Sequence, residues 1–540
     1  MESRYRPAEK HELLSRTSLD STSSCSSYQG LSGLPSPNPV LSKMSLRRFV
    51  RLPLWPARAF YNRICRQRGL RGSLLRNSCC VSALFISSIV VLVIFTALFR
   101  PSYTNPPKHY QALQRRCVES EEPGRGNINK EKIFIAAALY DPGGTLVGKD
   151  WGNAVIKLVD LLGPENVHLS IYENDADPVA KAALNDMGRK LSCNSSLVSE
   201  HLPLDLVSRV TTPSGESRMK RIAFLAEVRN RALRPLETAP QMQFDKVLYI
   251  NDVIFNPIDA LNLLFSTNYQ PSGYTEYRAA CAVDFINAFK FYDRFAIRDF
   301  EGYTTGIPFF PWFTNAGHAR SRREVLAQKD AVRVRACWGG MTAFEAKWFL
   351  KRQPESSSGH LFNSSDRIDF GISPLRFRYE VDPFWEASEC CLIHADLTYL
   401  HQGANTATDS GIFMNPYVRV AYDSYTLGWL PYTRRIERLY PIVHNILNHV
   451  VGMPEYNPRR LEEPEDEVLE KVWKYDEVGR QLKASQKNSQ KSGDLKGSYH
   501  EMKRVADPGR FCGTRRLLVL KENPQKGEKN WESVPLPPAP

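Results

Sequence analysis

Beyond residue 130 the chain alternates continuous apolar runs with stretches of helical periodicity. Ile133 to Leu139 is unbroken apolar sequence closed by Tyr140-Asp141-Pro142-Gly143-Gly144, which predicts a strand and then a tight turn. Ala154, Leu158 and Leu161 or Leu162 recur at helical spacing, so a helix is expected over about 150–162. A second strand is expected at Val167 to Tyr172, running out into Glu173-Asn174-Asp175, with a helix near 179–192 beyond it. Another helix is expected from Arg221 to Leu233, with Leu225, Val228 and Ala232 on one stripe and Arg229 and Asn230 beside it. It delivers the chain to Val247-Leu248-Tyr249-Ile250, four apolar or aromatic residues in a row, as expected of a strand buried on both faces. That strand stops at Asn251-Asp252. The run Ala279 to Phe285 repeats the pattern and places Asp284 at its end, ahead of Tyr292-Asp293 and Arg298-Asp299. Strands and helices in this order predict an α/β fold with a mainly parallel sheet and right-handed crossovers.

Ligands of such sheets bind outside the carboxyl ends of the strands, which makes Asp252 the first candidate functional residue. A local turn built by Asn251 and Asp252 is the alternative. Towards the end of the chain a helix is expected over 466–484, where Leu469, Val472 and Trp473 share a face and Glu470 can meet Lys474. The last residues, from Val534, are too proline-rich to suggest structure. There are no internal repeats.

One further pattern changes the picture. From Cys79 to Phe99 there is no charge, and about 20 such residues cross a bilayer core of about 30 Å. A cleaved signal peptide does not begin so far into a chain. Of the 71 Lys and Arg against 58 Asp and Glu, residues 1–78 hold fourteen and four. The net charge of +13 is therefore mostly a property of one end. The positive-inside rule explains that basicity and removes the reason to expect nucleic acid as a partner. The expected organisation is a disordered basic cytosolic tail (1–78), a transmembrane anchor (79–99), a stem (100–130), a lumenal domain (131–457) and a charged, mostly disordered tail (458–540). This is the type II topology common among Golgi enzymes that modify glycans. Sequons at Asn194 and Asn363 fall on the lumenal side, as glycoprotein sites would. Seven cysteines also lie there, an odd number in a compartment that favours disulfides.

Several short segments, in order over roughly 130–425, carry a resemblance. They are Ser170-Ile171-Tyr172-Glu173, Ala226-Glu227-Val228-Arg229-Asn230, Val247 to Asp252, Phe291-Tyr292-Asp293 with Arg298-Asp299, Cys337-Trp338-Gly339-Gly340-Met341, Ser388 to Leu397, and Asn415 to Tyr422. Together they resemble the fungal cryptococcal-type α-1,3-mannosyltransferase and capsule-associated protein family, glycosyltransferase family 69. The resemblance implies a GT-A-like nucleotide-sugar transferase domain, a GDP-mannose donor, a mannoside or glycolipid acceptor, and a divalent cation, Mn²⁺ or Mg²⁺.

Residue chemistry suits that implication. Asp252 offers the oxygen ligand a hard cation prefers. Only one acid stands here, whereas the wider GT-A pattern has two flanking a single residue, so His394 and Asp396 are candidates to complete the metal site. A buried structural histidine is the alternative for His394. Arg229 and Arg298 are candidates to grip diphosphate oxygens, Glu173 to meet the nucleoside, and Asn230, Asn251 and Trp338 to line the substrate site. Asp284, Asp293 and Asp299 are the pool for acceptor activation or for stabilising an oxocarbenium-like sugar. Phe309 to Phe313 can form an aromatic wall for a sugar, or core. The function expected is retaining α-1,3-mannosyl transfer that builds surface or capsule polysaccharide. A transferase using another nucleotide sugar, a non-catalytic homologue in a Golgi assembly complex, and an adhesion ectodomain are the alternatives. The last fits poorly with alternating strands and helices.

Overall fold

The computed structural model describes residues 70–238, 243–350, 370–404, 409–476, 497–521 and 528–538. They fall into two units, one holding helix α1 (Leu70–Phe99) and the other everything from Pro101 onward. In α1 the stretch Val81–Phe99 is long and apolar enough to cross a membrane. Its first turns, 70–78, belong to what was expected to be disordered tail; the remainder of that tail lies outside the described residues.

In the larger unit the longer helices are α2 (Lys108–Glu119), α3 (Asp150–Leu162), α4 (Pro178–Lys190), α5 (Arg221–Leu233), α6 (Pro257–Ser266), α7 (Glu389–Gln402), α8 (Ser424–Thr433) and α9 (Tyr440–Val450). Its main strands are β1 (Ile133–Leu139), β2 (Val167–Asn174), β3 (Asn194–Glu200), β4 (Lys246–Ile250), β5 (Ala279–Phe285), β6 (Arg298–Asp299), β7 (Val332–Ala336), β8 (Met341–Glu345) and β10 (Ile412–Ala421). These nine form one sheet in the order β3-β2-β1-β4-β8-β5-β10-β7-β6. The pairs β1 with β2, β1 with β4, β2 with β3 and β5 with β10 are parallel; β8 runs antiparallel between β4 and β5. Every residue of β4 and β5 is buried, which is why these strands read as unbroken apolar runs rather than as alternation.

Strand order reverses at β1, because β2 and β3 are added on one side and β4 on the other. A crevice therefore opens outside the carboxyl ends of β1 and β4. Gly339 and Gly340 bring β8 into place with φ of +58° and +71°. A Cβ at Gly339 would stand 1.9 Å from the Ala282 carbonyl oxygen, so the Trp-Gly-Gly motif is a packing requirement of this turn.

Two boundaries differ from expectation. The supposed stem is part of the fold: α2 buries Tyr110, Leu113 and Cys117, and Tyr103 packs 4.8 Å from Tyr417, ring centre to ring centre. The C-terminal segment is folded wherever it is described. Residues expected to be helical form strand β11 (Glu467–Tyr475), paired antiparallel with β12 (Gly497–Val505). Val472, Trp473 and Tyr475 favour a strand, and Glu470, instead of meeting Lys474, is buried among Arg459, Arg504 and Arg510. Strand β13 (Gly513–Arg515) then pairs with β9 (Trp385–Ala387), and β14 (Leu518–Leu520) with β15 (Trp531–Ser533). Disulfides join Cys391 to Cys512 and Cys281 to Cys337, while Cys117, Cys193 and Cys390 are free. Of the two sequons, Asn194 is exposed on the edge strand β3, and Asn363 lies outside the described residues.

Candidate active site

At the end of β4 the backbone of Asn251 is fixed from both sides. Its N–H donates to the Gly340 carbonyl at 2.9 Å, and its own carbonyl accepts from Trp151 Nε1 at 2.9 Å. The Asn251 side chain accepts from Arg229 Nη1 at 2.9 Å, and Arg229 Nε donates to Glu389 Oε1 at 2.9 Å. Arg229 is buried beside the rings of Trp338, Tyr249 and Phe377. This network joins α5, α7 and β4. It positions the next residue, Asp252, half-buried in the crevice.

Beyond Asp252 the chain pairs with the end of β10, Ile254 N–H to Ala421 carbonyl at 2.7 Å and Ala421 N–H to Ile254 carbonyl at 3.1 Å. Tyr422 is thereby brought beside Asp252, and both line a cleft of about 490 Å³. Its other walls include the loop after β1, with Tyr140, Asp141 and Thr145, and the start of α3, with Lys149, Asp150 and Trp151. The Asp141 carboxylate accepts from the Leu146 and Val147 N–H groups at 2.8–2.9 Å, so it shapes the loop around itself.

Behind Tyr422 lies an acidic pair. The Tyr422 hydroxyl donates to Asp284 Oδ2 at 3.0 Å, and the Asp293 N–H donates to Asp284 Oδ1 at 3.2 Å. Burial, reinforced by the neighbouring Asp293 charge, pushes the Asp284 carboxyl up to about 8. Burial also pushes Asp293 up to about 6. Both carboxyls therefore keep their protons to higher pH than a free aspartate does. Glu173, at the end of β2, is fully buried against the Asp141 backbone. Burial, then the charge of Asp141, raises it to about 7.

Asp252, Asn251, Arg229, Asp284, Asp293 and Glu173 thus gather along the carboxyl ends of the sheet. The other candidates are engaged elsewhere. Arg298 donates to the carbonyls of Phe295, Ile297, Phe511 and Cys512 and clasps the C-terminal segment, with four of its five N–H donors committed to backbone. Asp299 caps a turn by accepting from the Glu301 and Tyr303 N–H groups at 3.0 and 2.8 Å. Asn230 holds Phe377 by its backbone through both ends of its amide. Trp338 is a core ring, 5.3 Å from Tyr249 and 5.5 Å from Phe377.

The three-residue metal site does not form. His394 is buried against Phe344, its Nδ1 paired with the Cys390 carbonyl at 2.8 Å, and burial lowers it to about 4. Asp396 is held bidentately by Arg378 at 2.8 and 2.9 Å. Both lie on α7, within a turn of each other and committed to neighbours other than Asp252. Of the aromatic run, Phe310, Trp312 and Phe313 are core and Phe309 is partly exposed. The sequence assigned no role to Tyr422, Glu389, Asp141 or Lys149, although Tyr422 and Glu389 stand in two of the segments that carry the family resemblance, Asn415 to Tyr422 and Ser388 to Leu397.

No curated protein matches the chain. Among solved structures, the mannosyltransferase PcManGT from Pyrobaculum calidifontis, in complex with GDP-Man and Mn²⁺, aligns at a TM-score of 0.30 and 11% identity, over 69% of this chain and 76% of that one. So distant a likeness carries no argument about this site. The family model described as Cryptococcal mannosyltransferase 1 matches residues 132–396, from the start of β1 into α7. That stretch, which supplies all of the crevice except Tyr422, is where this chain is similar to the Cryptococcal mannosyltransferase 1 family.

Proposed function

We propose that this protein is a retaining mannosyltransferase of the GT-A type, moving mannose from GDP-mannose in α-1,3 linkage onto a mannoside or glycolipid acceptor for surface or capsule polysaccharide. It would work in the Golgi lumen, held by Val81–Phe99 as a type II membrane protein. The family match supports the sugar, and a crevice at the switch point of the sheet supports a nucleotide-sugar ligand. The observation that carries the reading is Asp252, half-buried in that crevice, with Tyr422 and the Asp284–Asp293 pair at its side.

Among the described residues no group of three His, Cys, Asp or Glu forms a metal cage. A hard cation brought in on phosphates needs only one or two protein carboxylates, so a lone Asp252 fits Mn²⁺ or Mg²⁺ carried by the donor. Held by Asp252, such an ion would supply Lewis-acid neutralisation of the diphosphate charge. The protein's own share is electrostatic. Lys149, at the head of α3, provides positive charge for phosphate oxygens. Glu173 meets the nucleoside, and as a protonated carboxyl it offers a donor as well as an acceptor. As the sugar ring gains positive charge, the Asp284–Asp293 pair stabilises it, with Tyr422 linking the pair to the crevice.

The test is incubation of the purified full-length chain with labelled nucleotide sugars and mannosides, with and without Mn²⁺. Turnover of GDP-mannose, lost in Asp252→Ala, is the expected result. Turnover of another donor overturns the mannose assignment. A second reading, a non-catalytic homologue in an assembly complex, is favoured by the single acid at the end of β4. It requires no turnover from folded protein and a cellular phenotype that survives Asp252→Ala.

A further inference from the structure

Helix α9 is inverted. Its polar residues His444 and Asn448 face inward, where Asn448 Oδ1 accepts from the Ile307 N–H at 2.8 Å and His444 Nδ1 is 3.0 Å from Arg322 Nη1. Its apolar residues face out, with Ile442, Ile446 and Val450 exposed to 73%, 58% and 72%. Helix α8 adds exposed Tyr425, Trp429 and Tyr432, with successive ring centres 6.1 and 5.9 Å apart. Apolar surface gathered in this way marks an interface.

What covers it is indicated by the chain's own path. The apolar span ends at Phe99, and the folded unit begins at Pro101. Two residues of chain reach about 7 Å at most. The Pro101 carbonyl accepts from Arg438 Nε at 3.4 Å, and the Tyr103 carbonyl from Arg434 Nη1 at 3.1 Å. Both arginines sit in Arg434–Leu439, the short 3-10 helix that joins α8 to α9. The outward apolar face is therefore built beside Pro101 and Tyr103, the first residues of the folded unit. Its charge also fits. From 424 to 451 the only acid is Glu437, buried in an ion pair with Arg419, whereas Arg434, Arg435 and Arg438 are basic.

We propose that α8 and α9 form a monotopic docking surface that lays this unit on the phospholipid bilayer, with aromatic rings at the headgroup level and Ile442, Ile446 and Val450 in the acyl boundary. The proposal rests on the reading of Val81–Phe99 as a bilayer span. Docking has a consequence for the crevice. The Ser424 hydroxyl at the start of α8 donates to Asp150 at the cleft wall, and a ten-residue helix is about 15 Å long, so the crevice opens close to the membrane surface.

The test uses the full-length chain in nanodiscs whose lipids are brominated in their acyl chains. The emission of Trp429 is taken as the difference between the wild type and Trp429→Phe. Docking predicts that bromolipid removes most of this emission, that aqueous acrylamide leaves it untouched, and that Ile446→Asp reverses both. Quenching by acrylamide instead overturns the proposal. So does protection from both quenchers, which would mean that a second copy or a protein partner covers the face. Release of the chain from membranes by alkaline carbonate would overturn the span reading and docking together, whereas a carbonate-resistant chain with an acrylamide-accessible Trp429 loses docking alone.

Discussion

Asp284 and Asp293 carry opposed demands, since burial penalises their charge and the crevice has a use for it. Their folded values, about 8 and about 6, lie above the ordinary 3.8, so the folded state keeps protons that the unfolded chain has released. The stability they contribute is full below about 3.8 and is lost as pH rises through about 6 and then about 8. A melting temperature that declines from mildly acidic to mildly alkaline pH is expected, with a shallower decline in Asp284→Asn, measured by thermal unfolding in matched buffers. At Asp252 the prediction concerns rate. Asp252→Asn keeps the fold and lowers turnover by about 100-fold or more, the scale of losing one preorganised electrostatic group. Arg298 gives a contrasting expectation. Its guanidinium serves backbone carbonyls, so Arg298→Lys leaves the KM for donor unchanged and lowers stability by about 1–3 kcal/mol for each buried carbonyl left unmet, read by urea unfolding.

Elements here depend on partners that are remote in sequence. Arg229 on α5 and Glu389 on α7 are separated by 160 residues, yet they hold the end of β4 between them. Glu389→Ala leaves a buried guanidinium without its carboxylate and is expected to cost about 3–5 kcal/mol, measured by chemical denaturation. Local pattern reveals the strands and helices themselves, because burial on one or both faces writes itself into neighbouring residues. Thus β1, α3 and α5 have the bounds that their apolar spacing predicts. The strand β11 was misread as a helix because Leu469, Val472 and Trp473 satisfy a helical spacing. Its true partner, β12, lies beyond 20 further residues whose structure is not described.

For the whole molecule, the far end of the chain completes the domain. The Cys391–Cys512 disulfide and the Arg298 clasp tie residues 510–515 to α7 and to the core. Cys512→Ser is expected to cost about 2–5 kcal/mol, and a chain ending at 457 to fail to fold, judged by secretion and thermal unfolding. The apolar span, the basic flank before it and the parallel α/β sheet were legible in sequence, because each is a statement about solvent made by consecutive residues. So was the end of β4 just before Asp252, because a strand buried on both faces stops where polar residues begin. Which other polar residues join it was decided only by the tertiary structure. Asp284 and Asp299 look alike in the chain, as do Arg229 and Arg298. One aspartate stands behind Tyr422 while the other caps a turn, and one arginine positions Asn251 while the other seals the C-terminal segment. The role of a charged side chain depends on which distant groups share its burial, as with the 213 residues between Arg298 and Phe511, and only the packed sheet determines those partners.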